Sequence, residues 1–164
     1  MAINAADAIW FLPFVLPICL YVAFTDMAQM KITNQAVIAL ALVFLIIGFF
    51  LMPFTAYLWR LAALVIVLLV GVILNAAGAM GAGDAKFAAA AAPFIAIGDL
   101  RLLMALFAAT LLAAAIAHRG VKYTPLRRLA PHWSSWEQGK KFPMGLALGP
   151  ALALYLLLGA FYGT

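Results

Sequence analysis

The chain has very little charge. Of its 164 residues only 9% are Asp, Glu, Lys or Arg, whereas 69% are hydrophobic, and the mean hydropathy is +1.16. A soluble domain carries about a quarter charged residues and about half apolar ones. The composition therefore excludes an ordinary soluble globular domain and predicts an integral membrane protein.

Cysteine is almost absent as well. Cys19 is the single cysteine, so the chain cannot form an internal disulfide or a cysteine-rich zinc site. His118 and His132 lack Cys or acidic companions at metal-ligand spacing, so we expect no metal and no other cofactor. Residues 1–10 lack the basic region of a cleavable signal peptide.

Apolar segments make up nearly the whole chain. A membrane-spanning helix needs about 20 apolar residues, and we place six segments at about residues 9–25, 36–52, 61–79, 84–98, 102–117 and 142–161. The fourth is short and contains Pro93, and short broken helices often face a cavity rather than lipid. We therefore predict an all-α, polytopic membrane protein with about six transmembrane helices in a single domain, residues 1–164.

Two aspartates lie at the ends of apolar segments. Asp26 follows the first apolar run, and Asp84 lies in the stretch MGAGDAK (residues 80–86) between two long uncharged runs. An ionisable group at such a place is costly, so it is usually functional and usually has a partner. Gly81 and Gly83 allow a tight turn and a close approach of another chain. A plain turn with Asp84 as a helix N-cap is the alternative that the local pattern leaves open.

Both segments resemble those of a known family. Residues 81–86 (GAGDAK) resemble the GxGD signature, extended by a lysine, of the type IV prepilin peptidases, which are membrane aspartic proteases. Residues 26–34 (DMAQMKITN) are similar to the family's other segment, an Asp followed by a basic residue and Ile-Pro-Asn, although Thr33 stands where proline is usual. The resemblance covers nearly the whole chain, and its length resembles that of the short members associated with tight-adherence (Flp) pili.

The resemblance implies an activity and a site. The family removes the short basic leader of prepilins or pseudopilins at the cytoplasmic side, just before their apolar segment. Asp26 and Asp84 are then the catalytic pair. The other matching positions would support them or bind substrate: Asn34, Gly81, Gly83 and Lys86. Longer relatives also methylate the new N-terminus through a cytoplasmic domain with paired cysteines; this chain has neither, so we expect peptidase activity alone.

Two aspartates on one face of a helix bundle can hydrolyse a peptide without a metal. If they are close, they cannot both ionise cheaply, so one keeps its proton and the pair titrates as a unit. The ionised member can take a proton from water while the neutral member polarises a peptide carbonyl. The start of a helix favours ionised Asp84, whereas burial and the neighbouring carboxylate oppose it, so which aspartate holds the proton stays open at this point.

The basic residues predict the orientation. Arg60 and Arg101 are the two that lie in loops on one side, and eight lie in loops on the other side, together with both aspartates: Lys31, Lys86, Arg119, Lys122, Arg127, Arg128, Lys140 and Lys141. Cytoplasmic loops are rich in Lys and Arg, so we expect the aspartates at the cytoplasmic side of a bacterial inner membrane and both termini at the opposite side. Residues 118–141 are expected to lie on anionic lipid headgroups, and nucleic-acid binding is not expected.

Several polar positions have simpler expected roles. Asp99 and Arg101 are expected in a solvated turn, and Tyr57 is expected, with Trp59, to anchor the chain at the interface. Lys86 is expected to reach the headgroups, with substrate binding as the alternative. Asn75 is interpreted as an interhelical hydrogen-bonding residue, with a contact to the two aspartates as the alternative.

Other classes of function remain open. Carboxylates within membranes also serve as proton relays, so the chain could be a proton-coupled transporter or channel subunit, although no inverted repeat is evident and both acids lie near one face. A non-catalytic subunit of pilus assembly is a third hypothesis. Cleavage of a prepilin peptide by the purified protein would separate the three.

Overall fold

The computed structural model describes residues 1–137 and 142–164. Within these residues it contains six helices and no strand: α1 (Ala5–Gln29), α2 (Asn34–Leu51), α3 (Phe54–Ala76), α4 (Ala82–Ala91), α5 (Leu100–Lys122) and α6 (Gly145–Tyr162). All of these except α4 are long and apolar enough to cross a membrane. For the described residues, the predicted all-α and polytopic architecture is confirmed.

The fourth apolar segment forms a short helix. α4 has ten residues and is therefore about 15 Å long, whereas the hydrocarbon core of a bilayer is about 30 Å thick. It passes into a 3-10 turn, Ala92–Phe94, at Pro93, which has no N–H to continue the α-helical bonds. In the irregular backbone that follows, Ala96 is buried in protein, and its N–H bonds to the hydroxyl of Tyr155 (3.0 Å). Non-helical backbone is tolerated at membrane depth only when it is covered in this way.

The core of the bundle is built on α1 and α6. A Cβ atom on Gly149 of α6 would lie 2.6 Å from the carbonyl oxygen of Cys19 on α1, so the two helices approach each other as closely as glycine permits. Nearer the start of α1, Phe11 packs edge-on against Phe94 (4.9 Å between ring centroids) and stacks on Phe44 of α2 (5.7 Å). These contacts hold α1 against α2 and against the 3-10 turn that follows α4.

Tyr57 belongs to this core, so its prediction as an interfacial anchor is wrong. α3 begins at Phe54, earlier than expected, and Tyr57 in its first turn is only 8% exposed. Its ring stacks on Phe44 (5.8 Å), and its hydroxyl donates to the carbonyl oxygen of Leu45 (3.2 Å). Leu45 lies in a π-helical turn of α2, where a wider winding disturbs the normal backbone bonds. Trp59, by contrast, is exposed.

Asp99 also differs from its expected place in a solvated turn. It is 6% exposed and lies at the end of the bundle where the two chain termini meet. Its carboxylate accepts hydrogen bonds from the N–H groups of Ala2 (2.8 Å) and Ile3 (3.0 Å) and from the hydroxyl of Tyr155 (2.9 Å). The prediction is wrong for Asp99 because donors from distant parts of the chain replace water. Arg101 is exposed.

In the described part of the polar segment after α5, residues 123–137, the chain forms only short turns, as its prolines predict. The turns are Pro125–Leu129 and Ser134–Trp136. Trp136 is buried, stacks on His118 at the end of α5 (5.0 Å), and donates its indole N–H to the carbonyl oxygen of Ala130 (2.8 Å). Part of this segment therefore packs on protein. Lys140 and Lys141, which belong to the same predicted interfacial segment, lie outside the described residues.

Large apolar side chains cover the outside of the bundle. Trp10, Phe14, Leu69 and Ile73 are each more than half exposed. Soluble monomers rarely expose an apolar surface of this extent, whereas contact of apolar side chains with lipid carries no such cost. The outer surface therefore agrees with the membrane assignment.

Candidate active site

Asp26 lies in the last turn of α1, at the end of the bundle opposite Asp99. It is 5% exposed, and its Oδ2 atom accepts a 2.6 Å hydrogen bond from the N–H of Gly145, the first residue of α6. The first N–H groups of a helix have no partner within that helix, so they are available to a carboxylate. Just beyond Asp26, α1 ends at Met30, whose left-handed backbone (φ 54°) turns the chain toward α2.

Asp84 lies in the first turn of α4, and Gly81 is the N-cap of that helix. A Cβ atom on Gly81 would lie only 2.6 Å from Oδ2 of Asp84. The carboxylate thus folds back over the start of its own helix, as acidic residues at the third helical position commonly do. Glycine at position 81 leaves room for this carboxylate, which a side chain there would displace.

The loop between α1 and α2 packs against the start of α4. A Cβ atom on Gly83 would approach the Cβ of Ile32 to 3.2 Å, so glycine lets the loop lie close. Lys86 donates a 3.1 Å hydrogen bond from Nζ to Oδ1 of Asn34, the first residue of α2. Lys86 thus has a protein partner, in contrast to the expected extension to lipid headgroups. Thr33, where the family usually has proline, caps α2 by accepting a backbone N–H bond (3.3 Å).

These residues surround one cavity of about 930 Å³. All the positions that the sequence predicts for the site line it: Asp26, Asn34, Gly81, Gly83, Asp84 and Lys86. The remaining walls come from the loop between α1 and α2, the turn between α3 and α4, and the residues before α6: Gln29, Met30, Lys31, Ile32, Thr33, Gly78, Ala79, Met80, Ala82, Phe142 and Met144. Ligand pockets commonly measure about 300–1,000 Å³, so this cavity can admit a short stretch of extended peptide.

The surroundings of Asp84 favour its protonated form. Burial raises its pKa, and the negative charge of Asp26 raises it further, from 3.8 to about 6, while the backbone N–H of Gly81 partly opposes both effects. Asp84 belongs to α4 and so lies outside the five helices that are long enough to span a membrane. Because the charge of Asp26 contributes to the raised pKa of Asp84, the two carboxyl groups act on each other electrostatically.

Asn75 shapes the turn that presents Asp84. Its Nδ2 atom donates a 2.8 Å hydrogen bond to the carbonyl oxygen of Met80, the residue before the N-cap glycine. Within the same turn, Gly78 takes a positive φ of 73°, which glycine adopts without steric cost. This contact is not the interhelical bond expected from the sequence; Asn75 bonds to the backbone of the turn before Asp84.

The residues just before α6 complete the cavity, although little in the sequence singles them out. Phe142 and Met144 line the cavity, and Gly145 bonds to Asp26. The ring of Phe142 packs edge-on against His118 (5.9 Å), which itself stacks on Trp136. A proline and a glycine within four residues indicate a turn at this point of the chain, but they do not indicate what the turn faces.

Few of the described residues that line the cavity are ionisable. They contribute the carboxyl groups of Asp26 and Asp84 and the amino groups of Lys31 and Lys86. Across residues 1–137 and 142–164, no three His, Cys, Asp or Glu side chains come together in a way that could hold a metal ion. Two carboxyl groups that share a cavity can serve as acid and base in one reaction.

The match to a known family includes both aspartates. The model of the type IV leader peptidase family matches residues 13–118, which is more than half of the chain. No curated protein and no solved structure matches. The resemblance seen in the two sequence segments is thus confirmed, and the chain belongs to the type IV leader peptidase family.

Proposed function

We propose that the protein is a membrane aspartic endopeptidase that removes the short basic leader from type IV prepilins or pseudopilins. Membership of the family makes it a leader-peptidase-like protease. One observation carries the finer assignment: Asp26 and Asp84, from helices that are distant in sequence, line the same cavity. A pair of carboxyl groups that share a site is the central requirement of aspartic-protease chemistry.

In the proposed reaction, the pair holds one proton and one negative charge. The ionised aspartate takes a proton from a water molecule, and the water oxygen attacks the carbon of the scissile peptide carbonyl. The protonated aspartate donates its proton to the carbonyl oxygen, which gives a neutral tetrahedral intermediate. The C–N bond then breaks: the leaving nitrogen takes the proton of the protonated aspartate, and one hydroxyl of the intermediate gives its proton to the ionised aspartate as the new carboxylic acid forms. One water molecule is consumed, and the pair returns to its starting state.

The position of the cavity supports a substrate with a polar leader followed by an apolar helix. The cavity lies at the end of the bundle, where α1 ends and α4 and α6 begin. A peptide bond at the junction between leader and apolar segment would lie at this depth while the apolar segment stays in lipid. Gly81 adds no side chain beside Asp84, so an extended strand can approach that carboxyl group closely.

The distribution of positive charge supports a cytoplasmic active site. Lys31 and Lys86 line the cavity, and Arg127 and Arg128 follow α5 at the same end of the bundle. Since cytoplasmic loops carry the excess of Lys and Arg, we propose an inner-membrane protein with this end toward the cytoplasm and both termini on the other side. We also propose that it does not methylate its product, because the single cysteine, Cys19, is buried in α1.

The test uses the purified full-length protein in lipid nanodiscs and a synthetic peptide with a basic leader and an apolar segment. Mass spectrometry should show a single cut at the junction and a free amine on the product, even when a methyl donor is present. Asp84→Asn should abolish the cut. Asp7→Asn is the matched control, because it makes the same chemical change in the first turn of α1 at the opposite end; it should leave cleavage unchanged.

Each alternative gives a different result. Absence of cleavage by the wild-type protein would favour the transporter or assembly-subunit hypothesis. Cleavage that survives Asp84→Asn would exclude the two-aspartate mechanism. A methylated product from the purified protein would contradict the peptidase-only assignment.

A further inference from the structure

We propose that Gly145 is a positioning residue for Asp26, and that its missing side chain is what allows α6 to hold that carboxylate. The proposal rests on the proposed role of Asp26. It concerns a residue that lies outside both sequence segments of the resemblance and outside the matched residues 13–118.

The hydrogen bond between these residues is short and buried. The N–H of Gly145 donates to Oδ2 of Asp26 over 2.6 Å, and both residues are buried. Hydrogen bonds to a charged acceptor are roughly twice as strong as those between neutral groups. Because the donor belongs to the backbone, no side-chain motif can reveal it.

The steric contacts of Gly145 also support its role in positioning Asp26. A Cβ atom on Gly145 would lie 2.9 Å from Cβ, 3.0 Å from Oδ2 and 3.2 Å from Cγ of Asp26. Four residues later, Gly149 packs against the backbone of Cys19 with equally little space, so α6 lies close to α1 over this whole turn. A side chain at position 145 would crowd the side chain of Asp26 and change the position of its carboxylate relative to the start of α6.

The bond also affects the charge of Asp26 in the proposed pair. The carbonyl end of α1 opposes a negative charge on Asp26, whereas the N-terminal end of α6 favours one. A donor bonded to a carboxylate favours its charged form, so the N–H of Gly145 stabilises a negative charge on Asp26 and suits that aspartate to take the proton from water. Since Oδ2 accepts the bond from Gly145, we propose that Oδ1 is the oxygen that receives this proton.

The first experiment compares three glycine-to-alanine variants with the same peptide substrate. Gly145→Ala should lower kcat by about 10- to 100-fold, leave KM within about twofold, and move the acid limb of the kcat/KM profile to higher pH. Gly120→Ala is the neutral control, because nothing lies within 4 Å of a Cβ added there. Gly149→Ala is the packing control: it should lower thermal stability without moving the acid limb.

The second experiment removes the donor without adding a Cβ atom, in case Gly145→Ala does not fold. An ester replaces the amide between Met144 and Gly145 in the full-length chain, which is assembled by ligation of a synthetic C-terminal segment. The same loss of kcat and the same shift of the acid limb are expected. A kcat and a pH profile equal to those of the wild-type protein would overturn the proposal.

The outcomes separate this proposal from the proposed function. If Asp26→Asn is inactive while folded Gly145→Ala behaves like Gly120→Ala, Gly145 is not a positioning residue, although the two-aspartate mechanism stands. If Asp26→Asn cleaves at the normal rate, the proposed function of Asp26 fails and the role of Gly145 fails with it.

Discussion

The two ends of the helix bundle each hold a buried aspartate, but they satisfy its carboxylate differently. At one end, Asp99 accepts two backbone N–H bonds and the hydroxyl of Tyr155. At the other end, Asp26 accepts one backbone N–H bond, shares its surroundings with Asp84, and lines a cavity of about 930 Å³. Both Asp26 and Asp99 are about equally buried, at 5% and 6% exposed.

Burial alone therefore does not distinguish the two carboxylates, whereas their hydrogen-bond partners do. A carboxylate has about four acceptor positions, and those of Asp99 are largely filled by donors that tie the N-terminus to α6. The Asp26 carboxylate keeps acceptor capacity and has access to a cavity, with a second carboxyl group beside it. The Asp99 carboxylate is thus held by donors within the protein, whereas the Asp26 carboxylate lines a cavity, as the proposed mechanism requires.

The largest effect on cleavage is expected when Asn replaces the aspartate at one end of the bundle but not at the other. Asp84→Asn should lower cleavage by about 10²- to 10⁴-fold and leave the fold intact. Asp99→Asn should keep cleavage per folded molecule within a few-fold, but it should lower stability by about 1–3 kcal/mol, because it replaces a charged acceptor and turns amide hydrogens toward N–H donors. Enzyme kinetics and thermal unfolding of the same preparations measure both. A stable but inactive Asp99→Asn protein would remove the distinction between the ends.

A smaller effect is expected from crowding Asp84. Gly81→Ala places a Cβ atom where the Asp84 carboxylate now lies, 2.6 Å from its Oδ2 atom. The carboxylate must move, and we expect kcat to fall by about 10- to 100-fold, as small displacements of catalytic groups can cost about 10²-fold. Gly120→Ala is again the matched control. Equal activity of the two variants would show that the position of Asp84 does not limit the reaction.

A few-fold effect is expected from the link between Lys86 and Asn34. Lys86→Met and Asn34→Ala each remove the 3.1 Å hydrogen bond and should each lower kcat/KM by about 2- to 10-fold, since an average hydrogen bond contributes this much. If the two residues act only through each other, the double variant should be no worse than either single variant. Losses that multiply would instead indicate that Lys86 contacts the substrate by itself.

The smallest expected effect is on the pH dependence of stability. The pKa of Asp84 is raised from 3.8 to about 6 on folding, so between these values the folded protein binds more protons than the unfolded one. Its contribution to stability is therefore fully present below about pH 4 and is lost as the pH rises through about 6. Thermal unfolding of the wild-type protein should show this decline, and Asp84→Asn should show a flatter profile. Parallel profiles would mean that Asp84 does not titrate as described.

Local features of the structure could be predicted from the sequence, whereas long-range contacts could not. Gly81 and Gly83 beside Asp84 indicated a tight helix start, and Pro93 indicated a short helix, because glycine and proline act on the backbone at their own positions. The bond from Gly145 to Asp26 joins residues 119 positions apart. Every residue except proline has a backbone N–H, so the sequence does not indicate that the N–H of Gly145 bonds to Asp26.

The predictions for Asp99 and Tyr57 are wrong for the same reason. A charged residue beside a glycine, and an aromatic residue near a proline, are typical of exposed turns at a membrane surface. Both are buried here because tertiary partners satisfy their polar atoms: Tyr155 and the N-terminal backbone for Asp99, and the carbonyl oxygen of Leu45 for Tyr57. Single-residue properties predict the cost of burial but not the presence of a partner that offsets it.

The most direct test of the two-aspartate mechanism is the kcat/KM of Asp26→Asn, Asp84→Asn and the double variant, measured with one prepilin peptide in nanodiscs. Asn keeps the size of the side chain but cannot exchange the proton. Groups that act as a unit give strongly non-additive losses, so each single variant should lose about 10²- to 10⁴-fold and the double variant should be little worse. A near-normal rate for Asp26→Asn, or losses that multiply in the double variant, would contradict a shared mechanism.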